Sequence, residues 1–315
     1  MRRALLVLPV ALATGGLLLT ACGTEQSAAR GPGAAPGRPS AACAVPAPSG
    51  APGTPGTGAN PDYTATDRVR TVIENGCPAF EVTNDTRQTL TYTITYQLLT
   101  NSATAQVSAV QTVTPVAPGR TVRRTVDPGV LPPGSDGVAQ VRVIKVRSVP
   151  TAEAPSETGP CPPSGVRVYA DRGDAAMGLR VVGLHLANCG TRAYRLDGYP
   201  QLRLFDQRHR PVDGVRVLHG GAAIATGTGA DGEPTPLVLA PGESARATLV
   251  WRNTTGLESD PVDAPYVRVV AGPGAAPVTV TPELDLGTTG KLGTGAWQKD
   301  TTPDRPATRD PGTTG

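Results

Sequence analysis

Leu90, Tyr92, Ile94 and Tyr96 alternate with Thr91, Thr93 and Thr95. This period of two, carried by β-branched and aromatic residues, predicts a strand with one face in a core and one in water. The same alternation marks residues 68–72 and residues 138–146, where Val141, Val143 and Lys145 are expected to share a face. Asp127-Pro128-Gly129 and Pro132-Pro133-Gly134 punctuate the strands with turn chemistry. Further along, short apolar or alternating runs at 166–169, 179–187, 201–205, 215–218, 245–251, 266–270 and 278–281 predict more strands. Many short strands at this spacing suit an immunoglobulin-like β-sandwich. The pattern therefore predicts an all-β protein: a β-sandwich over 61–150, a polar linker over 151–160, and a second sandwich over 161–286.

A weak internal repeat supports two sandwiches in tandem. Phe80-Glu81-Val82-Thr83-Asn84 aligns with Leu184-His185-Leu186-Ala187-Asn188. Downstream, Val116-Ala117-Pro118-Gly119-Arg120-Thr121 aligns with Leu239-Ala240-Pro241-Gly242-Glu243-Ser244. In each, Pro presets the first turn angle and Gly takes the positive one.

The ends read differently. Residues 22–60 are almost entirely Gly, Ala, Pro, Ser and Thr, a composition that cannot bury a core and predicts a disordered tether. Its span as a flexible coil would be about 35 Å. Residues 287–315 are rich in Gly, Thr, Pro and Asp and are expected to form a disordered tail. Before the tether, Met1-Arg2-Arg3 precedes an uncharged apolar run broken by Pro9 and Gly15-Gly16. Residues 1–21 therefore read as a secretory signal, too short and too broken for a membrane span. The run ends in Leu19-Thr20-Ala21-Cys22, which resembles a bacterial lipobox. That resemblance implies cleavage before Cys22, acylation of its thiol, and stable anchoring on the outer face of a cell membrane.

Composition narrows the function classes. The 315 residues include 38 Gly and 33 Pro, but only 2 Trp, 7 Tyr and 2 Phe. Gly and Pro are the poorest helix formers, and few aromatics are left to stack on bases or sugars. The formal charge of +3 falls to about +1 once Arg2 and Arg3 are removed, which gives little pull toward nucleic acid. With Cys22 acylated, four cysteines remain in an oxidising compartment, and three pairings are open. We favour Cys43–Cys77 and Cys161–Cys189, since each then stays within one module.

Residues 161–285 resemble a family of actinobacterial secreted domains, domain of unknown function forty-two thirty-two. The resemblance is carried by Cys161, Leu186-Ala187-Asn188, Leu196-Asp197-Gly198-Tyr199-Pro200, Leu239-Ala240-Pro241-Gly242-Glu243-Ser244-Ala245 and Trp251-Arg252-Asn253. It implies a secreted or lipid-anchored β-sandwich and no established activity.

Candidate chemistry is sparse. Gly227-Thr228-Gly229-Ala230-Asp231-Gly232 fits G-x-G-x-x-G, but Glu233-Pro234-Thr235-Pro236 follows and forbids the helix a dinucleotide site needs. The segment instead predicts a flexible, Gly-rich insertion over 219–235, of a kind that often contacts partners. His219, Gly227, Gly229 and Gly232 are its candidate contact residues, and Trp297 in the tail is a candidate anchor. His185, His209 and His219 lack metal-binding spacing and read as surface residues. Asp171, Asp174, Asp231 and Glu233 sit in turn-like stretches. Arg120, Arg123 and Arg124 mark a strand edge. No G-x-S-x-G is present. The expectation is a non-enzymatic protein without cofactor, bound to the membrane by lipid and contacting an envelope protein or cell-wall component. The alternative is a small-ligand or metal-binding lipoprotein.

Overall fold

The computed structural model describes residues 68–74, 77–99, 105–127, 140–256 and 260–301. The expected signal and tether, Cys22 and Cys43 lie outside the described residues, as do 302–315. Every described residue falls in one compact unit, 43–315.

The first sandwich uses β1 (Val69–Glu74), β2 (Cys77–Thr83), β3 (Leu90–Leu99), β4 (Ala105–Val116), β5 (Thr121–Thr125) and β6 (Gln140–Pro150). They form two three-stranded sheets, β1-β2-β5 and β4-β3-β6, antiparallel throughout. The alternation of β3 is obeyed: Leu90, Tyr92, Ile94, Tyr96 and Leu98 are all buried. Phe80 meets Tyr96 edge-on, with ring centroids 5.1 Å apart. The Tyr96 hydroxyl donates to the Asp127 carbonyl and the Tyr92 hydroxyl to the Thr83 carbonyl. Buried phenols thus keep their hydrogen bonds, and burial pushes the Tyr92 hydroxyl pKa up to about 12.

β6 departs from simple alternation. Tyr96 faces Val143 but Thr95 faces Lys145, so Ile144 is an extra residue. The bulge reverses the phase of the strand. Val141 and Val146 are buried, Ile144 is exposed, and Lys145 turns outward with Arg147 instead of sharing a face with Val141.

The second sandwich comprises β7 (Val166–Ala170), β8 (Asp174–Ala176), β9 (Leu179–Asn188), β10 (Tyr194–Leu196), β11 (Gln201–Phe205), β12 (Arg216–His219), β13 (Leu237–Leu239), β14 (Ser244–Arg252), β15 (Asp263–Ala264), β16 (Tyr266–Val270), β17 (Val278–Val280), β18 (Leu284–Asp285), β19 (Lys291–Thr294) and β20 (Gln298–Lys299). A large sheet runs β12-β19-β14-β9-β7, with β8 and β20 at its margins. It faces β11-β16-β17 and two short pairs, β10-β13 and β15-β18. Leu184, Leu186, Leu249, Trp251 and Trp297 fill the space between. Cys161 and Cys189 are disulfide-bonded with Cα atoms 5.6 Å apart. Closing that loop contributes about 3–4 kcal/mol in the chain-entropy view. Cys77 opens β2, half-buried.

The repeat seen in sequence is a repeat in atoms. The Asn84 side-chain amide donates to the carbonyls of Gln88 at 2.7 Å and Val116 at 2.8 Å, and its oxygen accepts the Thr86 amide. The Asn188 amide donates to Arg192 and Leu239, both at 2.9 Å, and its oxygen accepts the Gly190 amide. Val116 and Leu239 each precede an Ala-Pro-Gly turn, whose glycine has φ of +67° (Gly119) or +86° (Gly242). Both glycine amides donate back to the asparagine carbonyl, at 2.7 and 2.8 Å. Strands β1-β2-β5 therefore correspond to β7-β9-β14.

A polar seam joins the sandwiches. The bulge in β6 aims Arg147 at Glu283, which accepts two hydrogen bonds at 2.8 and 2.6 Å, with Lys145 alongside at 3.4 Å. Glu153, in a 3-10 turn at Thr151–Glu153, accepts from Arg268 at 2.9 and 2.7 Å and from the Thr279 hydroxyl at 2.8 Å. The 151–160 stretch is thus fastened rather than free. His209 stacks on Tyr266 with centroids 4.2 Å apart, and the Tyr266 hydroxyl accepts the Ser148 amide. His209 and Glu283 both have φ of +57°, an uncommon backbone for residues with a side chain.

Two outcomes are expected. Asn84→Ala or Asn188→Ala removes two hydrogen bonds to backbone carbonyls and costs about 1–3 kcal/mol. Calorimetry should show Tm lowered by roughly 2–12 °C, and an unchanged Tm would show the asparagines to be dispensable. Second, burial holds the His209 imidazole below its usual range, with Arg147 adding to this and Asp206 opposing. The unfolded chain then binds the extra proton first, so stability is present above about pH 6.5 and declines as pH falls below it. Between pH 7 and 5, Tm should fall more steeply in the wild type than in His209→Asn; equal slopes would contradict this.

Candidate functional site

The Gly-rich insertion sits on the large sheet because glycines clear a path for it. A Cβ on Gly221 would come within 2.9 Å of both Ala230 and Thr228. One on Gly293 would lie 2.7 Å from the Gly220 carbonyl, and one on Gly295 3.1 Å from the Ala230 backbone. Ala230 is consequently fully buried. The Asp231 carboxylate caps the Gly221 amide at 2.8 Å, and the Gly220 amide donates to Thr294 at 2.8 Å. The segment is therefore a packed loop, not the freely flexible hairpin expected from its composition. Its turns use Gly227 at φ +72° and Gly229 at φ +82°. Gly232 abuts the Gln298 side chain. Ala222, Ala223, Thr226, Gly227 and Gly229 form an exposed rim.

At the foot of this loop, His219 lies flat on Tyr199, with centroids 4.0 Å apart and planes 4° from parallel. His219 is exposed and Tyr199 half-buried. The Gly198-Tyr199-Pro200 motif divides its work. Gly198, at φ +75°, turns the chain, and its carbonyl accepts the Trp297 amide at 3.0 Å. Tyr199 forms the stacking platform, and Pro200 is buried.

Trp297 corrects two expectations. It is 1% exposed, inside the second core, and its indole N–H donates to the Ala271 carbonyl at 2.9 Å. It is no free anchor for a partner. The tail expected from 287 instead carries β19 and β20, and ordered structure continues to Asp300, whose amide donates to Ser244. The glycines and threonines of this stretch suggested disorder, yet they are small residues fitted against the loop. Thus the structure brings His219, Gly227, Gly229 and Gly232 together on one insertion and places Trp297 behind them in the core.

A second feature lies beside Trp251 of β14. A cleft of about 280 Å³ is lined by Arg172, Asp174, Arg180, Trp251, Glu283 and Asp285. Trp251 and Asn253, two residues apart, both reach the Asp285 carboxylate. It accepts from the Trp251 indole at 2.7 Å, from Asn253 at 2.6 Å and from Arg180 at 3.2 Å. The Trp-Arg-Asn motif therefore ties β14 to β18. Trp251 is buried in the core, and the sequence gave no sign of Asp285, which lies 34 residues from Trp251.

His185 is held in place and not freely solvated. It pairs with Asp171 at 3.0 Å and stacks on Tyr169. Burial raises the Asp171 carboxyl pKa, but His185 and the Gly183 and Gly173 amides outweigh it and hold the group below the usual range. Glu81 likewise lies between Arg123 and Arg70, which face it from neighbouring strands. Arg123 chiefly, with Arg70, keeps its carboxyl low against the opposing effect of burial. Among the described residues, no helix is long and apolar enough to cross a membrane.

Residues 161–298 match the model of a family described as a domain of unknown function (DUF4232). The match includes Trp297 and agrees with the resemblance drawn from the motifs. No curated protein matches the chain. No solved structure matches it.

If Trp297 belongs to the core, Trp297→Ala should lower unfolding stability by about 3–5 kcal/mol. Urea denaturation followed by Trp251 fluorescence reads this. A loss below about 1 kcal/mol would return Trp297 to the surface.

Proposed function

We propose that the chain is a lipid-anchored, non-catalytic binding module of the cell envelope, fixed through Cys22 and contacting an envelope protein or cell-wall component. The observation that carries this reading is the 219–235 insertion. Its exposed rim and the His219–Tyr199 stack are set on a body whose two sandwiches are clamped together. A loop whose ordering cost has already been met in folding loses less entropy on binding. Aromatic rings at its foot supply contact area that stays rigid. The basic start and the Leu19-Thr20-Ala21-Cys22 sequence support the anchor.

A second reading rests on the cleft beside Trp251. Its mixture of Arg172, Arg180, Asp174 and Glu283 suits a small polar solute bearing both charges. Saturable thermal stabilisation by such a solute, abolished by Arg172→Ala, would favour it.

Two experiments test the main reading. Metabolic fatty-acid labelling and detergent-phase partition should both be lost in Cys22→Ser. A photo-crosslinker at position 219 or 227 should capture one defined neighbour in cells, while one at position 172 should not. Labelling that survives Cys22→Ser removes the anchor. Equal capture from all three positions removes the loop as the contact surface.

A further inference from the structure

Among the described residues, β4 is an edge of its sheet, and it runs from Ala105 to Val116 without a charged residue. Unprotected edges are templates for another strand, and proteins blunt them with charge or proline. The other edge strands of the first sandwich carry such charges: Arg70 and Glu74 on β1, Arg123 and Arg124 on β5, Arg142 and Arg147 on β6. On β4 the only such device is Pro115, near its end. Val110 is also 61% exposed on this strand.

We propose that β4 pairs with β4 of a second copy of this chain, antiparallel and centred on Val110, joining two β4-β3-β6 sheets into one. The pairing with β3 sets the faces. Val107, Ala109, Gln111 and Val113 stand opposite Leu98, Tyr96, Ile94 and Tyr92, on the core side; Ser108, Val110 and Thr112 stand on the outer side. A two-fold axis through the sheet must place same-facing residues opposite each other, so it passes through a residue and not between two. Centred on Val110, Val107 meets Val113 on the core side, and Ala109 meets Gln111. Outside, Val110 meets its twin and Ser108 meets Thr112. Valine thus faces valine and hydroxyl faces hydroxyl, pairs that favour strand association, and the short Ala109 leaves room for Gln111. Centring on Ala109 sets Val110 against Ser108 and Val107 against Gln111, and centring on Gln111 sets Val110 against Thr112 and Val107 against Pro115, so each loses both Val–Val pairs. In the Val110 register Pro115, which has no amide to donate, meets only Ala105 at the end of the strand. The same operation applied to β5 would bring its arginines into one short pairing. Among the edge strands of the first sandwich, the lack of charge removes that repulsion for β4 alone.

The test is disulfide trapping of the full chain in intact cells under mild oxidation, read on non-reducing gels with mapped cross-linked peptides. Val110→Cys should give a dimer linked through position 110, because directly opposed residues have Cα atoms about 4.5–5.5 Å apart, within disulfide range. Ser108→Cys alone should not link, since the two copies of residue 108 would lie about 14 Å apart. Ser108→Cys with Thr112→Cys should link, and adding Val110→Lys should reduce that link at least tenfold. The proposal is overturned if Val110→Cys stays monomeric while Cys161–Cys189 is formed. It is overturned equally if Ser108→Cys alone links as well as Val110→Cys, or if position 110 is captured only by a different protein.

Discussion

Each sandwich is closed by one buried asparagine. A sandwich with few large side chains must still fix how its two sheets are connected. Asn84 and Asn188 do this by donating both amide hydrogens to carbonyls far apart in sequence while accepting a local amide. Each ends a strand, turns the chain and holds the approach to an Ala-Pro-Gly turn. Buried polar groups of this kind are costly unless fully matched, and a full match selects one arrangement. The strands on either side follow from it: β5 and β14 can enter their sheets only where these turns deliver them.

The seam between the sandwiches is built from the opposite kind of material. It consists of Arg–carboxylate pairs with two-point geometry, which specify orientation as well as attraction. The bulge in β6 is what makes it possible. Without Ile144 as an extra residue, Lys145 would share the inner phase of Val141, and Arg147 would follow it. One inserted residue turns two cations outward, toward a glutamate presented from left-handed backbone. The 3-10 turn that follows β6 supplies Glu153 to the complementary arginine. The connection between domains is therefore short, polar and directional.

Much of the fold could be read from alternation. Strands β11 and β16 coincide with the expected runs at 201–205 and 266–270, and the duplicated Asn and Ala-Pro-Gly positions foretold the repeat. What was not legible had definite physical causes. A bulge leaves no mark in a period-two pattern until the partner strand is known, so Lys145 was assigned to the wrong face. Strands β8, β10, β13, β15, β18, β19 and β20 have two to four residues each, too few to show a period. Composition misled most at the C-terminus. Gly293 and Gly295 resemble linker residues, yet they are small because the insertion presses on them. The candidate loop was visible as an anomaly of length, whereas its Tyr199 platform depended on a contact across 20 positions of chain.

That loop also shows how a packed segment can remain adaptable. Its inner side has almost no freedom, since Gly221, Gly293 and Gly295 each meet backbone or a neighbouring side chain where a Cβ would stand. At Gly227, by contrast, a Cβ would meet nothing within 4 Å, and only its positive φ restricts the residue. Ala222, Ala223 and Thr226 are exposed beside it. The constraint is therefore divided by side: the buried half sets where the loop lies, and the outer half can change side chains without moving the backbone. Substitutions on that rim would alter what the loop contacts while leaving the sheet beneath it, and Trp297 behind it, as they are.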